Sequence, residues 1–135
     1  MMSDRSHEVS QLRLVVTVDD LDEAVAFYRD ALGLSTELDL VSDGGARVVI
    51  LQAGRATLEL ANREQAELID RLEVGRRVAP PLRIAFQVAD TAAATDRLVA
   101  AGAALVAEPR RTPWDSLNSR IAAPAELQLT LFEEL

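Results

Sequence analysis

The stretch LRLVVTVDDLDEA, Leu12 to Ala24, lies without a gap on LRIAFQVADTAAA, Leu82 to Ala94. Leu12, Arg13, Val18, Asp20 and Ala24 recur as Leu82, Arg83, Val88, Asp90 and Ala94. After one residue of slippage Gly33 falls on Gly102, and further on LELA (Leu58 to Ala61) answers LTLF (Leu129 to Phe132). Two copies of this size mark a duplicated module, since a solenoid needs more repeats to bury a continuous core.

Each copy reads as a strand, a helix and then three strands. Leu12, Leu14, Val16 and Val18 alternate with Arg13, Val15 and Thr17, the period of a strand. Asp20 is placed to cap a helix, with Glu23 three residues on, and Leu21, Ala24, Val25, Tyr28, Ala31 and Leu32 follow helical spacing up to Gly33. The second copy repeats this: Leu82, Ile84, Phe86 and Val88 lie opposite Arg83, Ala85 and Gln87, and Asp90 caps a helix ending near Gly102. Strands are expected at Thr36 to Val41, Arg47 to Gln52 and Ala56 to Ala61, with Ser42-Asp43-Gly44-Gly45 as a turn. Ala104 to Ala107, Ser116 to Ala122 and Leu127 to Phe132 complete the second half. Arg63 to Glu73 reads as a connecting helix, and Pro80-Pro81 stops it from continuing. The expected organisation is one domain over 1–135, with modules at about 11–62 and 82–134 joined by a helical linker, 63–81.

The alternation also sorts the polar residues. Leucine, isoleucine and valine take the face that the helices cover. The other face carries Arg13 and Thr17, Thr57 and Glu59, Arg83 and Gln87, Asn118 and Arg120, and Gln128 and Thr130. Such a face either meets water, as in many antiparallel sheets, or lines a cup; periodicity does not separate the two.

Composition narrows the chemistry. Of 135 residues 49% are apolar and 27% charged, enough to bury a core. The net charge is −8 and every cation is arginine, which argues against nucleic acid or an anionic membrane as partner. There is no cysteine and only one histidine, His7, in the polar N-terminal stretch. Thiol catalysis, serine–histidine triads and multi-histidine metal sites are thereby excluded within the chain. That stretch has no apolar run like that of a signal peptide, and a cytoplasmic location is expected.

VTVDDLDEAVAFYRDALGL, Val16 to Leu34, resembles the opening of the vicinal oxygen chelate superfamily: a strand, Asp-Leu, then a helix carrying Phe-Tyr and ending Leu-Gly-Leu. This superfamily includes glyoxalase I, bleomycin-resistance proteins, methylmalonyl-CoA epimerase and extradiol dioxygenases. The resemblance extends from about Leu12 to Glu133. It implies an α+β fold in which two βαβββ modules form an incomplete eight-stranded barrel with a concave ligand cup, and a homodimer. The family's enzymes hold a divalent metal at four positions, one on the first and one on the last strand of each module. Carried over, those positions fall on Arg13, Glu59, Arg83 and Thr130. Only Glu59 is a metal ligand by type, and arginine has no lone pair to offer. The resemblance is therefore to small metal-free members of the bleomycin-resistance type, with no metal and no cofactor expected. The Asp-Pro-x-Gly turn that precedes the family's final strand is replaced by Ala123-Pro124-Ala125-Glu126.

Arg13, Glu59 and Arg83 are expected close together on the cup floor, either as an ion-pair cluster or as a positive centre for an anionic ligand. Trp114, the only tryptophan, lies where related proteins carry Pro-Trp-Gly near the cup mouth, with Asp115 in place of the glycine. It either stacks on a ligand or plugs the barrel end. Asn118 and Arg120 are further polar candidates. Phe27 and Tyr28 read as helix packing, and Arg76-Arg77 as solvated charge. The leading expectation is a metal-independent binder of a small polar or anionic organic molecule, with Arg13, Thr17, Glu59, Arg83, Gln87, Trp114, Asn118, Arg120 and Thr130 as ligand-binding residues. The alternative is a metal-independent lyase, isomerase or hydrolase with Glu59 as base. Two flanking arginines are expected to lower the pKa of Glu59, which counts against that alternative. A scaffold with a self-filled cup is the third possibility.

Overall fold

The computed structural model describes residues 9–135; His7 lies outside them. The elements run β1 (Val9–Thr17), α1 (Leu21–Val25), β2 (Thr36–Val41), β3 (Arg47–Ala53), β4 (Ala56–Ala61), α2 (Arg63–Glu73), β5 (Leu82–Val88), α3 (Thr91–Ala100), β6 (Ala104–Arg111), β7 (Ser116–Ala123) and β8 (Leu127–Glu134). The strands form one sheet in the order β2-β3-β4-β1-β5-β8-β7-β6, with β2 and β6 as free edges. This is the α+β fold with an open eight-stranded sheet that the resemblance implies. No helix among the described residues is long and apolar enough to cross a membrane.

The duplication is visible in the pairing. β1 pairs with β5 antiparallel, centred near Leu14 opposite Ile84, while β1–β4 and β5–β8 are parallel. A local two-fold axis therefore passes between β1 and β5 and relates the halves. Both helix starts are built alike: the Asp20 carboxylate accepts from the Glu23 N–H, and Asp90 from the Ala93 N–H, each at 3.0 Å.

Each helix covers its own half of the convex face. Leu21 and Val25 of α1 pack on Val49, Leu51 and Leu60, and Ala94 of α3 on Val88, Ile121 and Leu131. The seam between the helices stays bare. Leu12, Leu14 and Leu82, expected under helices, are 37%, 37% and 52% exposed. Phe27 corrects a second expectation. After Val25 the helix widens into a π-turn over Ala26–Ala31, which shifts the side-chain register. Tyr28 stays against the core while Phe27 turns out to solvent and touches Tyr28 edge-on. β6 runs to Arg111, beyond the expected Ala107. Its Pro109 is tolerated because an edge strand need not donate on its outer side.

The eroded turn keeps a glycine-like backbone without glycine. Ala125 and Glu126 both have positive φ, 65° and 59°, and Asp115 beside Trp114 has φ 60°. Three non-glycine residues thus occupy the left-handed region, where a Cβ is penalised.

Candidate functional site: a cup floored by two arginines

The concave face encloses a cavity of about 450 Å³. Strand register sets its floor. Glu59, Val15 and Arg83 lie in one row across β4, β1 and β5; Thr57, Arg13, Ala85 and Thr130 lie in the next, reaching β8. The small Val15 and Ala85 sit between the charged residues and keep the floor open. Arg13, Glu59 and Arg83 all line the cavity, as do Trp114, Asn118 and Thr130.

The two arginines are held by few protein contacts. Arg13 donates from Nε to Gln11 at 2.9 Å, stands 5.0 Å over the Phe132 ring, and reaches Glu59 only at 3.9 Å. Arg83 is buried and donates from Nη1 to the Thr130 hydroxyl at 2.7 Å. A guanidinium carries five N–H donors, so among the described residues each retains most of its hydrogen-bonding capacity. Burial lowers the pKa of Arg83; Glu73, Glu59 and Asp70 oppose this and Arg120 adds to it.

Glu59 corrects the sequence-based expectation of a lowered pKa. Burial dominates and pushes the carboxyl up, aided by Glu73, while Arg83 and Arg13 only partly offset it. The reason is geometric: Arg13 is at the limit of an ion pair and Arg83 is turned toward Thr130. Glu59 has no hydrogen bond within the described residues.

Helix α2 is the part of the site that the sequence did not announce. It spans β3, β4 and β7 and drives two carboxylates into the second half of the face. Asp70 accepts from Arg120 Nη1, Arg77 Nη1 and the N–H groups of Val78 and Ala79, each at 2.9 Å. Glu73 accepts from Arg120 at 2.7 Å, Asn118 at 2.8 Å and the Thr130 hydroxyl at 3.1 Å. Burial alone raises the Asp70 carboxyl, but these donors together hold it below its ordinary value. The signal in the sequence was an acidic pair at i, i+3 on one helix, Asp70 and Glu73.

The expected ligand residues consequently divide. Arg120 is fully buried and committed to α2, and it does not line the cavity. Asn118 lines the cavity but spends its amide on Glu73. Thr17 opens only onto a separate niche of about 10 Å³, and Gln87 lines neither space. Arg77, expected to be solvated, is exposed and in addition anchors Asp70. Trp114 is half-exposed on the cavity rim and is not a buried plug. Residues not anticipated are Gln65, Leu68 and Ile69 of α2, Leu38 and Leu40 of β2, and Phe132, which shares a strand face with Thr130. Gln65 is buried, and its Oε1 is one of two buried side-chain oxygens without a partner among the described residues, the other being Thr57 Oγ1.

The sequence profile of the Glyoxalase/Bleomycin resistance protein/Dioxygenase superfamily matches residues 10–131. The chain belongs to this superfamily. Among solved structures, the superfamily member is similar to methylmalonyl-CoA epimerase from Mycobacterium tuberculosis at TM-score 0.63 and 24% identity, covering 100% of this chain and 93% of that one. It is similar to a hypothetical protein from Bacillus halodurans at 0.66 and 15%, covering 95% and 94%. A superfamily member from Vibrio splendidus gives 0.63 and 13%, covering 91% and 97%. Identities at this level speak for the fold. No match is found among curated proteins.

The superfamily's metal can be tested against this floor. The four positions hold two guanidiniums, one hydroxyl already saturated by Arg83, Arg120 and Glu73, and one carboxylate. Among the described residues no three His, Cys, Asp or Glu side chains converge. Guanidiniums repel a divalent cation and offer it no donor. The residues present do not fit the metal.

Proposed function

We propose that the cup is a metal-independent binding site for a small organic anion. The observation that carries this is the pair of arginines, poorly satisfied by protein, on the floor of a cavity whose walls carry both apolar and polar side chains. On the two floor rows Arg13 and Arg83 face one carboxylate, Glu59, an excess of one positive charge there. Of the other acids lining the cavity, Glu73 is paired with Arg120 and Asp115 with Arg111, while Glu134 has no cation partner among the described residues. A ligand anion neutralises that excess and fills guanidinium donors that the protein leaves unpaired, those of buried Arg83 above all. Of the two roles open for the arginines, a self-contained cluster is disfavoured by the 3.9 Å gap to Glu59. The cavity is not filled by its own side chains, which counts against a pure scaffold.

Native mass spectrometry of untagged protein tests this reading. An organic adduct at one per chain, without a divalent ion, is the expected result. A divalent ion retained at one per chain overturns the metal-independent reading. The same spectrum tests a homodimer, which the bare apolar seam at Leu12, Leu14 and Leu82 supports.

A second reading is favoured by Glu59 alone. A carboxylate without hydrogen bonds and with a raised pKa is better suited to accept a proton than one locked between arginines. In this reading the cup abstracts a proton from a bound carbon acid, without metal. The epimerases among the structural neighbours are an enzyme type on the same fold. Incubating the adduct molecule with protein in D2O and looking for deuterium at its acidic C–H tests it. Incorporation by the wild type that vanishes in Glu59→Gln, with binding intact, establishes turnover.

A further inference from the structure

The two arginines are repeat equivalents, and this bears on what they hold. Arg13 stands opposite Ala85, and Arg83 opposite Val15. They are therefore diagonal cross-strand neighbours, with Cβ atoms separated by somewhat less than about 7–8 Å. The local two-fold axis between β1 and β5 passes between them, normal to the sheet. Each leans on the last-strand residue of its own half, Arg13 on Glu59 and Arg83 on Thr130, which are themselves repeat equivalents. Replacement of a carboxylate by a hydroxyl at the second of these positions leaves the single excess positive charge.

We propose, resting on the reading of the cup as an anion site, that its ligand is an aliphatic monocarboxylate seated on the pseudo-two-fold axis. A carboxylate is the small anion whose symmetry fits: its two equivalent oxygens face two equivalent guanidiniums, one each. Arginine suits this because its planar fork donates to carboxylate oxygens with defined geometry. The rest of the molecule then points away from the floor, along the axis and into the cup. There it meets Leu38 and Leu40 of β2, Ile50 of β3, Leu68 and Ile69 of α2, and Phe132. These side chains offer no second cation, so a dicarboxylate buries an unpaired charge among them. An uncharged molecule of the same shape leaves both guanidiniums unsatisfied. Trp114 at the rim lies where the far end of the ligand emerges.

The test uses the full chain and a series of straight-chain probes from butyrate to decanoate, compared at equal length with the 1-alkanol, the α,ω-dicarboxylate and the alkylamine. Binding is read by isothermal calorimetry and by Trp114 fluorescence. The expected result is one monocarboxylate per chain, bound at least about tenfold more tightly than the matched alkanol and more tightly than the dicarboxylate. Arg83→Gln and, separately, the less buried Arg13→Gln are each expected to weaken it about tenfold or more. Circular dichroism checks that each variant is folded, and either one suffices if the other fails. Glu59→Gln is expected to tighten binding by removing a like charge. Equal affinity for alkanol and carboxylate, or tighter binding of the dicarboxylate or amine, overturns the ligand class and leaves the cup as a binding site. No binding of any probe, together with a mass spectrum showing no adduct, overturns the cup reading as well.

Discussion

The two halves of the sheet descend from one pattern and have spent their polar residues differently. In the first half Arg13 and Glu59 face the cavity with little else to hold them. In the second, Asn118, Arg120 and Thr130 stand on the equivalent face but are tied to Asp70 and Glu73 of α2. Only Arg83 escapes, because Thr130 takes one of its donors and leaves the rest. The same alternation of polar and apolar residues thus produces an open floor on one side and a closed ion network on the other. What differs is α2, which follows the first module and docks its carboxylates on the second.

The largest effect should come from breaking the closed side. Arg120→Met leaves two buried carboxylates short of a partner, and the expected loss is about 3–5 kcal/mol in urea unfolding. A loss below about 1 kcal/mol would show that water reaches the network and that the second half is as open as the first.

The closed side should also fail in acid. Asp70 has a folded pKa below its ordinary 3.8, so the folded state binds fewer protons than the unfolded one. Its contribution is present at neutral pH and is lost as pH falls below 3.8 through the folded value. Asp70→Asn should therefore be destabilising at pH 7, with a penalty that shrinks in this acid range. A penalty independent of pH would assign its cost to packing instead of charge.

Glu59, on the open side, carries the opposite sign. Its folded pKa lies above the ordinary 4.5, so the folded state binds more protons and stability falls as pH rises from 4.5 through the folded value. Glu59→Gln should stabilise the protein at neutral pH, by less than Arg120→Met destabilises it, and the gain should close below pH 4.5. Destabilisation at pH 7 would mean that its weak pairing with Arg13 matters more than its burial.

The smallest expected change concerns the turn before β8. Glu126 takes the place of the family's glycine at φ 59°, and Glu126→Gly should add about 1 kcal/mol by relieving the Cβ clash. An unchanged midpoint would show that the greater freedom of glycine in the unfolded chain offsets the relief.

Most of the fold was legible because β1 and β5 carry a period of two and α1 and α3 announce themselves with an aspartate cap. The π-turn at Ala26–Ala31 was not, since nothing in AFYRDA separates it from an ordinary helix, and Phe27 was misplaced as a result. The cup floor was legible through the family resemblance: Arg13, Glu59 and Arg83 do line one cavity. What alternation could not reveal is what lies over a face. Asn118 and Arg120 were read as open to ligand because the docking of α2 depends on contacts about 45 to 50 residues away in sequence. The pKa of Glu59 went astray for a related reason: spacing gives the sign of the neighbours but not their distance.

The bonding of α2 bears on how such a chain can be divided. A cut between Ala79 and Pro80 separates the repeat at its natural joint, yet it leaves Asp70 and Glu73 on a fragment that lacks Arg120, and it bares the edge of β1 that β5 had covered. The interdependence is lopsided. The first fragment carries stranded acids, and the second an arginine that has lost both its carboxylates. A single module of this sequence is therefore not a smaller version of the protein, and the linker that joined the two copies has become the reason they can no longer part.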